Sequence, residues 1–458
     1  LILEALLRIS VIIPAYNAGR TLGETLDSVL GQAFTGGIEI IVADDGSTDD
    51  TAAIARRYAA ECSKRPDITL KYLYGENAGV SAARNRGLEN ASGEFVVFLD
   101  ADDRYAPGAL EAFCAALEAT GADVAVGRLK VFGDVEEAFN PYADALAGES
   151  RIDCFDKRLL WNFLIGNKCY RRRPLAESGV SFRPLRYAED GAFFMEYVYT
   201  FPVVTGAAGS CYEYRRMSFE QGASVSQSVD ARLAADFIAS MSAIRAAAEA
   251  ALARREASCG REAYLQEIVY KSDFVLVNQF YRLLWRADEN CLALVKTIHE
   301  SLQEEMTPET AARWRAANSD LPDLIFDKKE IAARPLVSVI LACAPGPRAA
   351  ETAVSIFRQS MPLFELLIPA GYLAEGVIPP PFDRCKNIVP VEGKPFLREA
   401  RKKAKSKRKV VISKPLRADS RMLRYLLRLK VPGPVKDAFF SPMFKLLAFM
   451  LRLRGRAG

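Results

Sequence analysis

Histidine is almost missing from this 458-residue chain: His299, in "LALVKTIHESLQEE", is the one copy. Ser-His-Asp or Cys-His catalysis would have to rest on that residue, and a helical run of this kind places it on a surface or at a cap. The nine cysteines, at 62, 114, 154, 169, 211, 259, 291, 343 and 385, form no CxxC pair and no zinc-like spacing. They sit in apolar helix-like or strand-like stretches, as free thiols in a reducing compartment do. No run of about 18 apolar residues offers to span a bilayer. The opening "LILEALLR" lacks the cationic start and small-residue cleavage site of a secretory leader. These absences point to a cytoplasmic protein. Net positive charge is also absent before residue 400: residues 1–400 hold 43 Lys and Arg against 55 Asp and Glu, whereas residues 401–458 hold 18 against two Asp. The formal net of +4 therefore belongs to the tail.

What is present is enough apolar material, 50% of the chain, for more than one core, and the length suggests about two to four domains. The first 130 residues alternate short apolar runs with helix-period segments. The runs "ISVII" (9–13), "IEIIVA" (38–43), "ITLKYLY" (68–74), "EFVVFL" (94–99) and "DVAV" (123–126) fit strands of a parallel sheet covered on both faces. Thr21 and Glu24 read as a capping box, Ser47 to Asp50 as N-cap candidates, Pro107 as a first-turn residue and Gly121 as a stop. The expected fold is α/β, a βαβαβ nucleotide-binding half of Rossmann type with its crevice beyond the carboxyl ends of the strands.

Two acidic turns fall at that crevice. "ADDGSTDD" follows the second strand and "LDADD" ends the fourth. Asp49 and Asp50 read as turn and cap residues. Asp100 and Asp102 are spaced to aim oxygens at one hard divalent cation, which crowded like charges need as a partner.

At these residues the sequence resembles family 2 glycosyltransferases, inverting enzymes of GT-A fold. The matching motifs run in the family's order: "VIIPAYN" (11–17), "VADDGSTD" (42–49), "NAGVSAARNRGLENASGEFVVFLDADD" (77–103), "NKCYRR" (167–172) and "AEDGAFF" (188–194). The resemblance implies that Pro14, Ala15, Tyr16, Asn17, Asp44 and Asp45 hold the nucleotide. It implies that Asp100, Ala101 and Asp102 form the DxD that grips ribose and Mn²⁺ or Mg²⁺, and that Asp190 is the base, with Glu189 as neighbour or rival. Chemistry agrees. Oxygen ligands suit a hard cation, which stabilises charge on a departing diphosphate, and a carboxylate on the opposite face of the sugar takes the acceptor's proton. Arg84 and Arg86 could reach the diphosphate, Arg86 being equally readable as a surface residue. Lys168, Tyr214, Arg215 and Arg216 match places where relatives close the donor site, each equally readable as a structural cation or ring. Trp161 could stack on an acceptor sugar or sit in the core.

These motifs define a GT-A domain over residues 1–228. Residues 229–333 are alanine-rich and helical in period. Residues 334–431 read as a degenerate second copy of the first half, with Ser338 on Ser10, Ser355 on Ser28, Gln359 on Gln32 and Glu365 on Glu39. Ala370 and Gly371 stand for Asp44 and Asp45, and Lys414 and Leu416 for the DxD acids, so that copy is expected to be non-catalytic. The basic, Phe-rich tail, 432–458, with "REARKKAKSKRK" before it, suits an anionic membrane surface. No nucleic-acid motif accompanies the charge. The expected protein is a metal-assisted transferase using a nucleotide-sugar donor, by family habit a UDP-sugar, and a glycan or lipid-linked acceptor at the inner face of the cell membrane. A non-catalytic nucleotide-sugar-binding scaffold is the alternative. A nucleotidyltransferase would show a Gly-rich basic loop where this chain reads "PAYNAGRT".

Overall fold

The computed structural model describes residues 7–133, 142–216, 230–255, 260–281, 289–319 and, with short interruptions, 321–412. The chain forms two units, residues 1–228 with 235–268, and residues 229–234 with 269–458. The boundary read at 228 therefore shifts: the greater part of the Ala231–Arg254 helix belongs to the first unit.

The first unit is built on a mixed sheet of strands β1 (Leu7–Ala15), β2 (Gly37–Asp44), β3 (Ile68–Tyr74), β4 (Phe95–Phe98), β5 (Arg104–Tyr105), β6 (Val124–Gly133), β7 (Lys168–Arg171) and β8 (Val204–Arg216). Their order is β3-β2-β1-β4-β7-β6-β8-β5. The first four strands are parallel, and helices Leu22–Leu30, Thr51–Cys62 and Val80–Glu89 make the crossovers. Ile9, Val11, Ile12 and Ile13 are all fully buried, as a strand covered on both faces requires. Beyond β4 the sheet turns antiparallel at β7. The capping box does not form: Thr21 makes no side-chain cap bond, and Glu24 instead pairs with Arg104 and Arg215. Gly121, at φ 64, ends the Ala109–Thr120 helix as expected.

The second unit contains a parallel sheet of β9 (Val337–Leu341), β10 (Phe364–Pro369), β11 (Ile388–Val391) and β12 (Lys409–Ile412), in the order β11-β10-β9-β12. This repeats the order β3-β2-β1-β4. Ser10 is paired in register with Glu39, and Ser338 with Glu365. Each serine hydroxyl donates to its glutamate, across 2.5 Å in the first sheet and 2.6 Å in the second. In both sheets the chain entering the last strand of the repeat donates two backbone N–H groups to this pair, from Ser92 and Gly93 in one and Lys405 and Ser406 in the other. The register also places Ala370 and Gly371 at the Asp44 and Asp45 positions. Ile412 stands in register where Leu99 does, and Lys414 and Leu416, read at the DxD places, lie outside the described residues. Residues from 413 onward, the tail included, and Gln359 lie outside the described residues.

His299 is neither a surface residue nor a cap. Its Nδ1 lies 2.7 Å from Oδ1 of the buried Asp273, joining helix Glu289–Glu305 to the part of helix Arg261–Gln279 that lies in the second unit. No described helix is long and apolar enough to cross a membrane.

Candidate active site

The carboxyl ends of β2, β1 and β4 lie side by side: Ala15 is in register with Asp44, and Leu99 N–H donates to the Ile12 carbonyl. The loops after β1 and β2 are stitched together. Asn17, in the left-handed region at φ 49 that asparagine tolerates, accepts from Thr48 N–H at its Oδ1 and donates its own N–H to Ser47 Oγ. Ala18 N–H and Gly19 N–H donate to Thr51 Oγ1 and Asp49 Oδ2. Asn17 is thus a loop staple, and Asp49 has the turn role read for it.

The two acids after β2 are also committed internally. Asp44, fully buried, accepts from Ser47 N–H and the Tyr72 hydroxyl, whose pKa burial and this bond push up to about 12. Asp45 accepts from Ala78 N–H and Gly79 N–H, at the entry to the Val80–Glu89 helix. Arg86 donates to the Asp44 carbonyl beside Gly75, its guanidinium lying where a Cβ on that glycine would be. Pro14 and Ala15 are buried in β1. The Tyr16 ring, 56% exposed, is presented outward, and so is Tyr74 at the end of β3, 62% exposed. Tyr74 escaped the sequence reading, although its strand-end position beside β2 was legible there.

The three acids after β4 have three different environments. Asp103 is buried, accepts from the Tyr212 hydroxyl and Arg215 N–H, and is held well above the usual carboxylate range by burial. Ala101 is buried. Asp100 is half-buried and gives Oδ1 to Arg84. The Asp102 carboxyl is pushed up to about 6 by burial and then by Asp100. A desolvated carboxylate beside a second one is a site that gains from a cation. Among the described residues no group of three or more His, Cys, Asp or Glu stands ready to hold a metal. Two carboxylates, with a donor's phosphate oxygens and water completing the shell, are nevertheless a normal Mg²⁺ set, so the residues fit the ion.

Arg84 is engaged within the protein. Its guanidinium is buried, donating from Nη1 to Glu189 Oε1 at 2.7 Å and from Nη2 to Asp100 Oδ1 at 2.8 Å, with Phe182 5.3 Å away. It brings the turn after β4 together with the start of the Glu189–Val198 helix, 89 residues on in sequence. Glu189 is thereby committed to the ion pair, leaving Asp190 as the acid with altered protonation: burial first, then Glu189, push it up to about 7.

Of the remaining cations, Lys168 and Arg215 are engaged within the protein. Lys168, fully buried in β7, donates to the Leu164 carbonyl at 2.5 Å and to Asn167 Oδ1 at 2.8 Å and lies over Phe194; desolvation lowers its pKa to about 7. Arg215 braces the acidic turn, donating from Nε to the Asp102 carbonyl at 2.6 Å over the Phe132 ring. Tyr214 and Arg216, half-buried, occupy the end of β8. Trp161 is half-buried and donates from Nε1 to Glu267.

A parallel βαβ crevice with paired acids, linked through Arg84 to a second acidic helix start, lies where open α/β sheets bind their ligands. Residues 10–179 match the model of glycosyl transferase family 2. Similar curated proteins include glycosyltransferase GlyA of Streptococcus pneumoniae, 39% identical over 29% of this chain and 18% of that one. The uncharacterized glycosyltransferase YibD of Escherichia coli is 46% identical over 22% of this chain and 27% of its own length. The minor teichoic acid biosynthesis protein GgaA of Bacillus subtilis is 31% identical over 45% of this chain and 47% of that one. The chain thus spans less than half the length of these relatives. Among solved structures, S. aureus TarS 1-349 in complex with UDP has a TM-score of 0.49 at 21% identity, covering 68% of this chain and 87% of that one.

Proposed function

We propose that the first unit transfers a sugar, with inversion, from a nucleotide-diphosphate donor to a hydroxyl of a growing cell-envelope glycan or its lipid-linked precursor. The observation that carries this reading is the Arg84 bridge, which brings the acidic turn after β4 and the Asp190 helix together on one buried cation. UDP is the donor nucleotide that best fits relatives of this kind, and the teichoic acid role in GgaA's name favours an envelope polymer as acceptor.

In this reading Tyr16 lies against the base, with the stapled loops below it as a rigid floor. Asp100 and Asp102 would hold Mn²⁺ or Mg²⁺, which when bound supplies Lewis-acid stabilisation of the departing diphosphate. Asp190 accepts the proton of the attacking hydroxyl. Its pKa near 7 is suited to that task, because a base poised near the working pH combines the deprotonated form with a useful proton affinity. Single displacement then inverts the anomeric carbon.

The second unit has Ala370 and Gly371 in place of the acids after β2, and we assign it no chemistry. The exposed Arg398, Arg401, Lys402, Lys403 and Lys405, on and just after the Phe396–Lys403 helix, support peripheral attachment to the inner, anionic face of the cell membrane, with the basic tail contributing. Calorimetric titration of UDP with and without Mn²⁺ tests the transferase reading. Tighter binding with Mn²⁺ that Asp102→Asn abolishes is expected; binding indifferent to metal in both proteins would favour a scaffold that holds nucleotide-sugar without turning it over.

A further inference from the structure

The start of the Asp190 helix is held in an unusual way. Ala188, the residue before Glu189, has φ 60 and ψ 21, the left-handed region that a residue with a Cβ avoids. It provides no side-chain cap, so nothing local fixes where the helix begins. The restraint comes from the Ala231–Arg254 helix. Ser240, fully buried, donates its hydroxyl to the Ala188 carbonyl at 2.7 Å. One turn earlier, Asp236 Oδ2 accepts from Arg186 N–H at 3.0 Å, and the Phe237 ring lies 6.1 Å from that of Tyr187. Residues 236, 237 and 240 lie on one helical face, and they grip three consecutive residues, 186, 187 and 188. The Ala188 carbonyl also accepts the first intrahelical bond, from Ala192 N–H, so Ser240 acts on the atom from which the helix propagates. Asp190 is two residues further, its Oδ1 bound by Gly191 N–H within the same turn.

We propose that Ser240 is a positioning residue for Asp190: its hydroxyl holds the left-handed turn at Ala188 and so sets the direction of the base toward the acceptor hydroxyl. The proposal rests on the reading of Asp190 as base. It gives the helix that follows the family-matched segment a part in the reaction, whereas alanine-rich composition suggests packing alone. The link is indirect, through backbone, and it should affect turnover and leave donor affinity in place.

The test compares the full-length wild type with Ser240→Ala, Ser240→Ala/Ala188→Gly and Asp190→Asn, following nucleotide diphosphate release from a panel of UDP- and GDP-sugars. Ser240→Ala is expected to lower kcat roughly tenfold, since small misplacements of a reacting group are costly, with donor KM within about twofold of wild type. Adding Ala188→Gly should restore most of the loss, because glycine adopts the left-handed turn unaided. Amide exchange at Gly191 and Ala192 should quicken in the single variant and slow again in the double. Unchanged kcat in Ser240→Ala, or a loss that Ala188→Gly leaves in place while exchange recovers, would overturn the positioning role with the base assignment intact. Wild-type turnover by Asp190→Asn would instead remove the assignment on which it rests.

Discussion

Arg84 and Glu189 stand 2.7 Å apart, a buried ion pair between residues 105 positions apart in the chain, and the second arm of the same guanidinium holds Asp100. Removing the cation would leave the buried Glu189 and the half-buried Asp100 without their shared counter-charge. Arg84→Ala should therefore lower unfolding free energy by about 3–5 kcal/mol, the usual cost of breaking a buried pair. Arg84→Lys should recover less than half of that, because an ammonium is a point charge without the two-armed geometry. Denaturant midpoints for the three proteins check both expectations.

Asp190 makes a prediction with a sign. Its pKa, raised to about 7, means that the base form accumulates as pH rises, so kcat should climb through that pH and level off above it. Stability should move the other way. A carboxyl whose pKa is higher in the folded chain contributes stability fully below its unfolded value of about 4 and loses it as pH rises through the folded value. Asp190→Asn should accordingly melt higher than wild type at pH 8, with the advantage shrinking at pH 5. Thermal melts at the two pH values measure it.

An exposed ring at the donor crevice should matter for the nucleotide and not for the fold. Tyr16→Ala is expected to weaken UDP binding roughly tenfold, within the about 1–3 kcal/mol that aromatic–base stacking contributes. Tyr16→Phe should bind as wild type does. Calorimetry reads both, and equal binding by Tyr16→Ala would move the base elsewhere, with Tyr74 the next ring to replace.

The repeated Ser-Glu pair differs between the units in the glutamate's other partners. Glu39 also receives Lys71 and the Ser92 hydroxyl, whereas Oε2 of Glu365 is buried without a hydrogen-bond partner. The same substitution should thus have different consequences. Glu39→Gln should destabilise by about 1–3 kcal/mol, the range for losing charge-assisted bonds at a buried site, while Glu365→Gln should be near neutral or stabilising. Denaturant unfolding of the two variants compares them.

The parallel half of the first sheet was legible because its strands are apolar on both faces, as at Val11, Ile12 and Ile13, and alternate with helix-period segments. The repeat was legible through Ser338 and Glu365, whose partners face them across neighbouring strands. Side-chain destinations were not. Arg84 sits in a motif that suggests phosphate, yet its partners, Asp100 and Glu189, are brought to it by tertiary folding alone. Lys168 in "NKCYRR" reads equally as a donor-site residue or a structural cation, and its full burial in the strand between β4 and β6 is set by tertiary folding. Thr21 and Glu24 satisfied the capping pattern, and Arg104 and Arg215, distant in sequence, took the glutamate. The helix carrying Ser240 was read as a separate region because composition shows where a pattern changes, not what the new segment packs against.

The most direct measurement is nucleotide diphosphate release by wild type and Asp190→Asn from a panel of UDP- and GDP-sugars. A wild type that turns over one donor, beside a variant at least about 100-fold slower with unchanged UDP affinity, is the expected result. Equal turnover by the two proteins would contradict it.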